Sequence, residues 1–368
     1  MAKSRLHELS EQGQSVWIDY LSRQLLQSGK LAQMVEEDAV VGITSNPTIF
    51  QKAIAEGDAY DEQFREVLAE EEDPKEVFLR LAVQDVRNAC DVLRPVWDGG
   101  RGQDGYVSIE VDPNLAGDTQ GTTDEAQRLH ELVDKPNCFV KIPATKEGLP
   151  AIEEMVARGR SINVTLIFSL QRYAEVVEAY LRGLERLVES GGDPGPVASV
   201  ASFFVSRVDT EADRRLDEAG APDDLKGKLA VANAKLAYQR YKELFSGERW
   251  EALHARGARS QRCLWASTST KNPDYRDVIY VEELIGPETV NTMPEETIDA
   301  FQDHGEVALT LEQDVDEARR VFERIAEAGV DYDDVVEVLE REGVEKFADS
   351  FRELIDGVEA KRGELVSA

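Results

Sequence analysis

Lys141 stands in the run NCFVKIPAT, residues 137–145, with Phe139 and Val140 before it and Ile142 after it. A short apolar run closed by a proline reads as a buried β-strand. Lysine is among the residues least often buried without a partner. Two chemistries suit a cation so placed. Loss of hydration disfavours the ammonium form, and a neutral amine attacks carbonyls to form a Schiff base. Alternatively, the lysine is a structural cation paired with Glu110 or Asp19. A Schiff-base reaction also needs groups that take and give protons, to dehydrate a carbinolamine and to deprotonate a hydroxyl.

Strand alternation supplies such groups, because successive residues face opposite sides. In YVSIEV, Val107, Ile109 and Val111 share one face and Ser108 and Glu110 the other. If the apolar faces meet helices, Glu110 and Lys141 point the opposite way. The same rule sends Asn163 and Thr165 of INVTLIF, Asp19 of VWIDY, and Thr44 with Asn46 of VVGITSN toward that interior, while Ile162, Val164 and Leu166 point out. One buried polar residue is ordinary. Seven converging ones, with two carboxylates and a lysine among them, describe an active site.

A second cluster suits a phosphate. SFFVSRVD puts Arg207 just past a strand end, and WASTSTKN (265–272) is a hydroxyl-rich loop past another, carrying Ser267 and Lys271. Cations, hydroxyls and backbone N–H groups at such a mouth hold sugar phosphates. A solvated loop with a helix cap is the plain alternative.

The elements that must position these groups alternate along the chain. The spacing predicts strands at 15–20, 39–44, 105–111, 137–142, 162–168, 200–205, 263–267 and 289–292. Helical periodicity fills the gaps, for example at 74–94, 123–133, 149–159, 170–190 and 225–245. Eight strands alternating with helices imply a closed (β/α)8 TIM barrel. An open doubly wound sheet would want a glycine-rich phosphate loop after its first strand, and LSRQLLQSG follows instead. After about residue 311 the pattern is helical only, as for helices packed across the outside or one mouth of a single barrel domain spanning 1–368.

Composition narrows the function. The formal net charge is −31, from 42 basic and 73 acidic residues, which disfavours nucleic acid as a partner. With 14 lysines against 28 arginines, the surface suits a salty cytoplasm or an ordinary acidic bacterial protein. No apolar run is long enough to cross a bilayer, and MAKSRLHELSEQGQ lacks a signal-peptide core, so the expected location is cytoplasmic. Cys90, Cys138 and Cys263 form no metal or CxxC pattern, and the four histidines form no metal cluster. No metal is expected. A monomer and a homodimer both remain open.

Several stretches together resemble the transaldolase family: GITSNPTIFQKAI, SIEVDP, CFVKIPAT, INVTLIFS, ASFFVSRVD and LWASTSTKNP. The last of these, with YVEELIGPETVNTMPEETIDAF and DHG, resembles its longer bacterial branch, and the likeness runs over about residues 12–365. The resemblance implies a circularly permuted class I aldolase barrel, with Lys141 as the Schiff-base lysine on the fourth strand. It implies Asp19 as the proton carrier for the donor's C4 hydroxyl. Glu110 would act through a water that Thr165 helps hold. Asn46 and Asn163 would bind the dihydroxyacetone hydroxyls, with Thr44 and Ser202 lining the same site. Arg207 would bind phosphate together with Ser267. The family often has an arginine soon after that serine, whereas this chain has Lys271. The implied partners are sugar phosphates, and the implied reaction needs no cofactor. Two rival outcomes are a fructose-6-phosphate aldolase and a non-catalytic sugar-phosphate-binding barrel. Phe204 argues against the aldolase, since transaldolases carry phenylalanine there and the aldolases tend to carry tyrosine.

Overall fold

A computed structural model describes residues 4–55 and 58–367. The eight strands are β1 (Gln14–Ile18), β2 (Val40–Ile43), β3 (Tyr106–Glu110), β4 (Cys138–Pro143), β5 (Ile162–Ile167), β6 (Ser199–Phe204), β7 (Arg262–Ala266) and β8 (Thr289–Met293). Each pairs in parallel with the next, and β8 returns to β1, so the sheet closes into a barrel in sequence order. Parallel strands buried on both faces need near-continuous apolar runs, and every residue of β4, β5 and β6 is buried. The strand C-termini gather at one mouth, where barrel sites lie.

Aromatic rings fill the other end of the interior. Tyr106 stacks on Phe139 at 4.0 Å, and Trp17 lies 6.0 Å from the same ring. Gly42 on β2 makes room for that plug, because a Cβ there would stand 2.5 Å from the Trp17 indole. This floor separates the polar mouth from the opposite end of the barrel.

Three expectations need correction. The helix expected to stop at 94 runs from Pro74 to Gly99 through Pro95. Proline disfavours helix in the residue before it, but one more turn forms, with Trp97 packed against the core and its carbonyl accepting from Gly102 N at 2.7 Å. The helix expected over 225–245 begins only at Leu229. Gly227, at φ +67°, breaks it and donates its N–H to Asp213 Oδ1 at 2.9 Å. Finally, Leu166 does not follow the alternation of β5. It has φ +59°, the β5–β6 register shifts between Val164 and Ile167, and its side chain lies against Gly343 of the last helix. A bulge of this kind re-aims side chains.

The C-terminal helices take both places that the sequence left open. Val315–Glu327 packs outside, on helix Leu229–Leu244, whereas Tyr332–Ser367 packs on helix Pro47–Ala55 and reaches the mouth. Among the described residues, no helix is long and apolar enough to cross a membrane. The three cysteines are buried and unpaired.

Candidate active site

Of the twelve residues singled out from the sequence, all but Glu110 line one cavity of about 530 Å³ at the mouth. Glu110 sits behind Lys141, and its Oε2 accepts from Nζ at 3.1 Å. Both side chains are 7% exposed, so this ion pair is screened little by solvent. The amine also donates to the Ser45 carbonyl at 3.0 Å. That carbonyl carried no side-chain signal in the sequence. The lysine is held by two acceptors and still lines the cavity.

Asp19 and Thr44 follow β1 and β2, and the ladder continues past both strand ends. Asp19 N donates to the Met293 carbonyl at 2.8 Å, and Thr44 N donates to the Ile18 carbonyl at 2.9 Å. This continued pairing preserves the alternation that aims both side chains inward. Thr44 Oγ1 donates to Asp19 Oδ1 at 2.6 Å and lies 2.7 Å from Thr292 Oγ1. A hydroxyl has one proton, so Thr292 is the donor in the second pair. The sequence reading passed over Thr292 because alternation in TVNT puts it on the face of the apolar Val290, a face that in β8 points into the barrel.

Burial holds Asp19 above the ordinary carboxylate range, against the Thr44 hydrogen bond and the charges of Lys141 and Arg207. Burial also raises Glu110, opposed by Lys141 and reinforced by Asp19. Two carboxylates that ionise less readily than usual flank one amine, which suits groups that exchange protons.

The β5 and β6 residues form a chain of hydroxyls and amides. Ser202 Oγ donates to Asn163 Oδ1 at 2.7 Å, and Asn163 Nδ2 donates to Ser108 Oγ at 3.1 Å. Thr165 Oγ1 is buried with no hydrogen-bond partner in the protein. Asn46 caps helix Pro47–Ala55 by accepting from Ile49 N at 3.1 Å, so its amide nitrogen remains for the cavity.

The cationic side is built from two helices and a loop beyond the strand ends. Arg207 lies in the first turn of helix Val205–Ala219, with its guanidinium 4.8 Å from the Phe204 ring. Burial lowers its pKa, against the charges of Asp19 and Glu342. Ser267 adopts φ +55°, an uncommon conformation for a non-glycine residue. That turn lets its carbonyl accept from Ser206 N at 3.1 Å and puts the two hydroxyls 2.9 Å apart. Lys271 is exposed and donates to Ser269 Oγ at 2.7 Å. Among the other lining residues that sequence reasoning missed are Lys52, a further cation on helix Pro47–Ala55, and Phe347 of the last helix. Among the described residues, no group of three or more His, Cys, Asp or Glu side chains is placed to hold a metal.

Comparison with known proteins finds relatives along almost the whole chain. Residues 16–358 match the profile of the family described as Transaldolase/Fructose-6-phosphate aldolase. A transaldolase of Frankia alni is 54% identical over 361 residues, 97% of each chain. One of Mycolicibacterium paratuberculosis is 54% identical over 362 residues, again 97% of each. One of Thermobifida fusca is 52% identical over 358 residues, 96% of this chain and 97% of its own. A closed eight-stranded barrel with a buried lysine on its fourth strand, matched along almost its whole length, thus belongs to the transaldolase/fructose-6-phosphate aldolase family.

Proposed function

We propose that the chain acts as a transaldolase through a Schiff base on Lys141. It moves a dihydroxyacetone unit from sedoheptulose 7-phosphate or fructose 6-phosphate to glyceraldehyde 3-phosphate or erythrose 4-phosphate. The observation that carries this reading is the buried Lys141, paired with Glu110 and sharing one cavity with Asp19.

In this reading Lys141 attacks the donor ketone. Glu110, within reach of the amine, manages protons through a water that the unpartnered Thr165 hydroxyl helps hold. Asp19 takes the C4 hydroxyl proton, and the C3–C4 bond breaks to release the aldose phosphate. Asn46 and Asn163 hold the hydroxyls of the retained three-carbon unit, with Thr44 and Ser202 fixing the groups beside them. Arg207, Ser267 and Lys271 receive the phosphate. Phe204 lines the cavity with a ring that has no proton to give. This favours transfer over the aldolase outcome, in which the enamine is protonated and the triose leaves. The barrel and the helices after about residue 311 work as one domain, because Phe347 completes the cavity wall. The cytoplasm, where sugar phosphates are made and used, is the setting this function requires.

Trapping tests the assignment. The protein is incubated with fructose 6-phosphate, reduced with borohydride, digested and weighed. A three-carbon adduct on the Lys141 peptide, absent from Lys141→Ala, is expected. An unmodified peptide from folded protein would make Lys141 a structural cation and the barrel a binding protein.

A further inference from the structure

We infer that Phe347, on the C-terminal helix, decides the fate of the bound three-carbon fragment by keeping bulk water from it. The inference rests on the Schiff-base reading above and adds a residue to it.

The cavity wall around Lys141 is polar, built from Asp19, Asn46, Asn163, Thr165 and Ser202. Two aromatic rings interrupt it, Phe204 in the wall and Phe347 above it as a roof. The Phe347 ring centroid lies 5.8 Å from Lys141 Nζ and 5.9 Å from Arg207 Cζ, and it meets the Phe204 ring edge-on at 6.1 Å and 65°. An apolar ring thus lies over both the amine and the phosphate cation. It is 9% exposed although it faces an open cavity.

Anchors on both sides fix that position. One turn before it, Gly343 lets the helix settle on β5, since a Cβ there would stand 3.1 Å from Leu166 and 3.4 Å from Phe168. After it, Ser350 Oγ accepts from Thr48 Oγ1 at 3.0 Å, and Phe351 meets Phe78 edge-on at 6.0 Å. The left-handed Leu166 that broke the strand's alternation provides the surface Gly343 rests on. The helix is therefore fitted to the mouth at the turn that carries Phe347.

After cleavage, Lys141 holds an enamine whose C3 is nucleophilic. In transfer, C3 attacks the acceptor's aldehyde carbon, the new alkoxide takes a proton, and the iminium is then hydrolysed. In release, C3 takes a proton from water instead. Water then adds to C2, the C–N bond breaks, and dihydroxyacetone leaves with the amine restored. Release needs water at C3 before the acceptor arrives. Excluding water from reactive intermediates is one consequence of a closed site, and an aromatic roof does this without offering a proton.

The test compares Phe347→Ala, Phe347→Leu and Leu354→Ala. Leu354 is buried on the same helix and does not line the cavity, so its loss loosens the helix without opening the roof. Each protein receives fructose 6-phosphate and erythrose 4-phosphate, and free dihydroxyacetone and transfer product are both measured. Phe347→Ala should raise the release-to-transfer ratio about tenfold. Phe347→Leu should restore most of the difference, and Leu354→Ala should keep the wild-type ratio whatever its thermal stability. An unchanged ratio in Phe347→Ala, or an equal rise in Leu354→Ala, overturns the inference while leaving the transaldolase reading intact. Wild-type protein that neither transfers nor forms the Lys141 adduct removes both.

Discussion

Asp19 and Glu110 both reach the space around Lys141, but their neighbours give them different work. Asp19 lines the cavity, whereas Glu110 lies behind the amine. Replacing Asp19 with Asn keeps an oxygen for the Thr44 hydroxyl and removes only the base. Schiff-base formation should survive, and cleavage should slow by about 10²- to 10⁴-fold. Borohydride would then trap a six-carbon adduct on Lys141 rather than a three-carbon one, and a three-carbon adduct at the wild-type rate would deny Asp19 its role. The pH profile offers a second check. Asp19 must be ionised to take the proton, and burial raises its pKa. Activity should therefore fall with decreasing pH through a value above the ordinary aspartate pKa of about 3.9, and an acid limb of kcat below that value would contradict the assignment. These residues were legible because alternation in a regular strand is a rule of geometry that needs no knowledge of the partners. It held for Asp19, Thr44, Lys141, Asn163 and Thr165, where ladder pairing continues to the mouth. It could not find the Ser45 carbonyl, which has no residue signature, and it failed at Leu166, where the register shifts.

At the scale of elements, order along the chain was readable and docking between distant elements was not. Eight apolar runs separated by helical periods are enough to imply a closed barrel. That residue 347 returns to a lysine at 141 depends on how a helix packs some two hundred residues later, and Gly343 shows its purpose only once Leu166 is seen beneath it. The same holds for Asp209, which sequence alone would pass over as a polar residue on a helix. It is buried on helix Val205–Ala219, accepting from Ala230 N at 2.7 Å and from Tyr280 Oη at 2.8 Å. Burial, with the charge of Asp213, pushes its pKa up to about 7, against the Ala230 and Tyr280 hydrogen bonds and Lys228. Unfolded, the group would titrate near 3.9. The folded state therefore binds the proton more tightly, and stability falls as pH rises from about 4 to 7, by roughly 4 kcal/mol as an upper bound. Asp209→Asn keeps an acceptor for Ala230 and has a donor for Tyr280, so it mimics the protonated acid. The fall in urea midpoint between pH 5 and pH 8 should be smaller in this variant than in wild type. Equal falls would mean that Asp209 is not the group that titrates.

For the molecule as a whole, charge is the dominant unsatisfied quantity. Seventy-three acidic residues face 42 basic ones, so the surplus cannot be paired away whatever the geometry. Part of the surface is stitched by arginine, as where Arg249 bridges Glu178 and Glu185 of helix Leu170–Glu189, and Arg186 reaches Glu153 and Glu154 of helix Gly148–Ala157. Salt acts on both contributions in opposite directions. Screening weakens each exposed pair, which is worth about 0–1 kcal/mol. It also weakens the mutual repulsion of the surplus carboxylates, which opposes compactness over the whole surface. The repulsion is long-range and the pairs are short-range, so screening lengths falling from about 10 Å at 0.1 M toward 3 Å at 1 M relieve repulsion first. The midpoint of thermal unfolding should therefore rise by roughly 5 °C between 20 mM and 0.5 M salt. Sodium and potassium chloride should act alike, because screening depends on ionic strength and not on the identity of the cation. A midpoint that stays flat or falls would show that the arginine pairs outweigh the excess of acid. A rise confined to one cation would point to specific ion binding at the surface instead of screening.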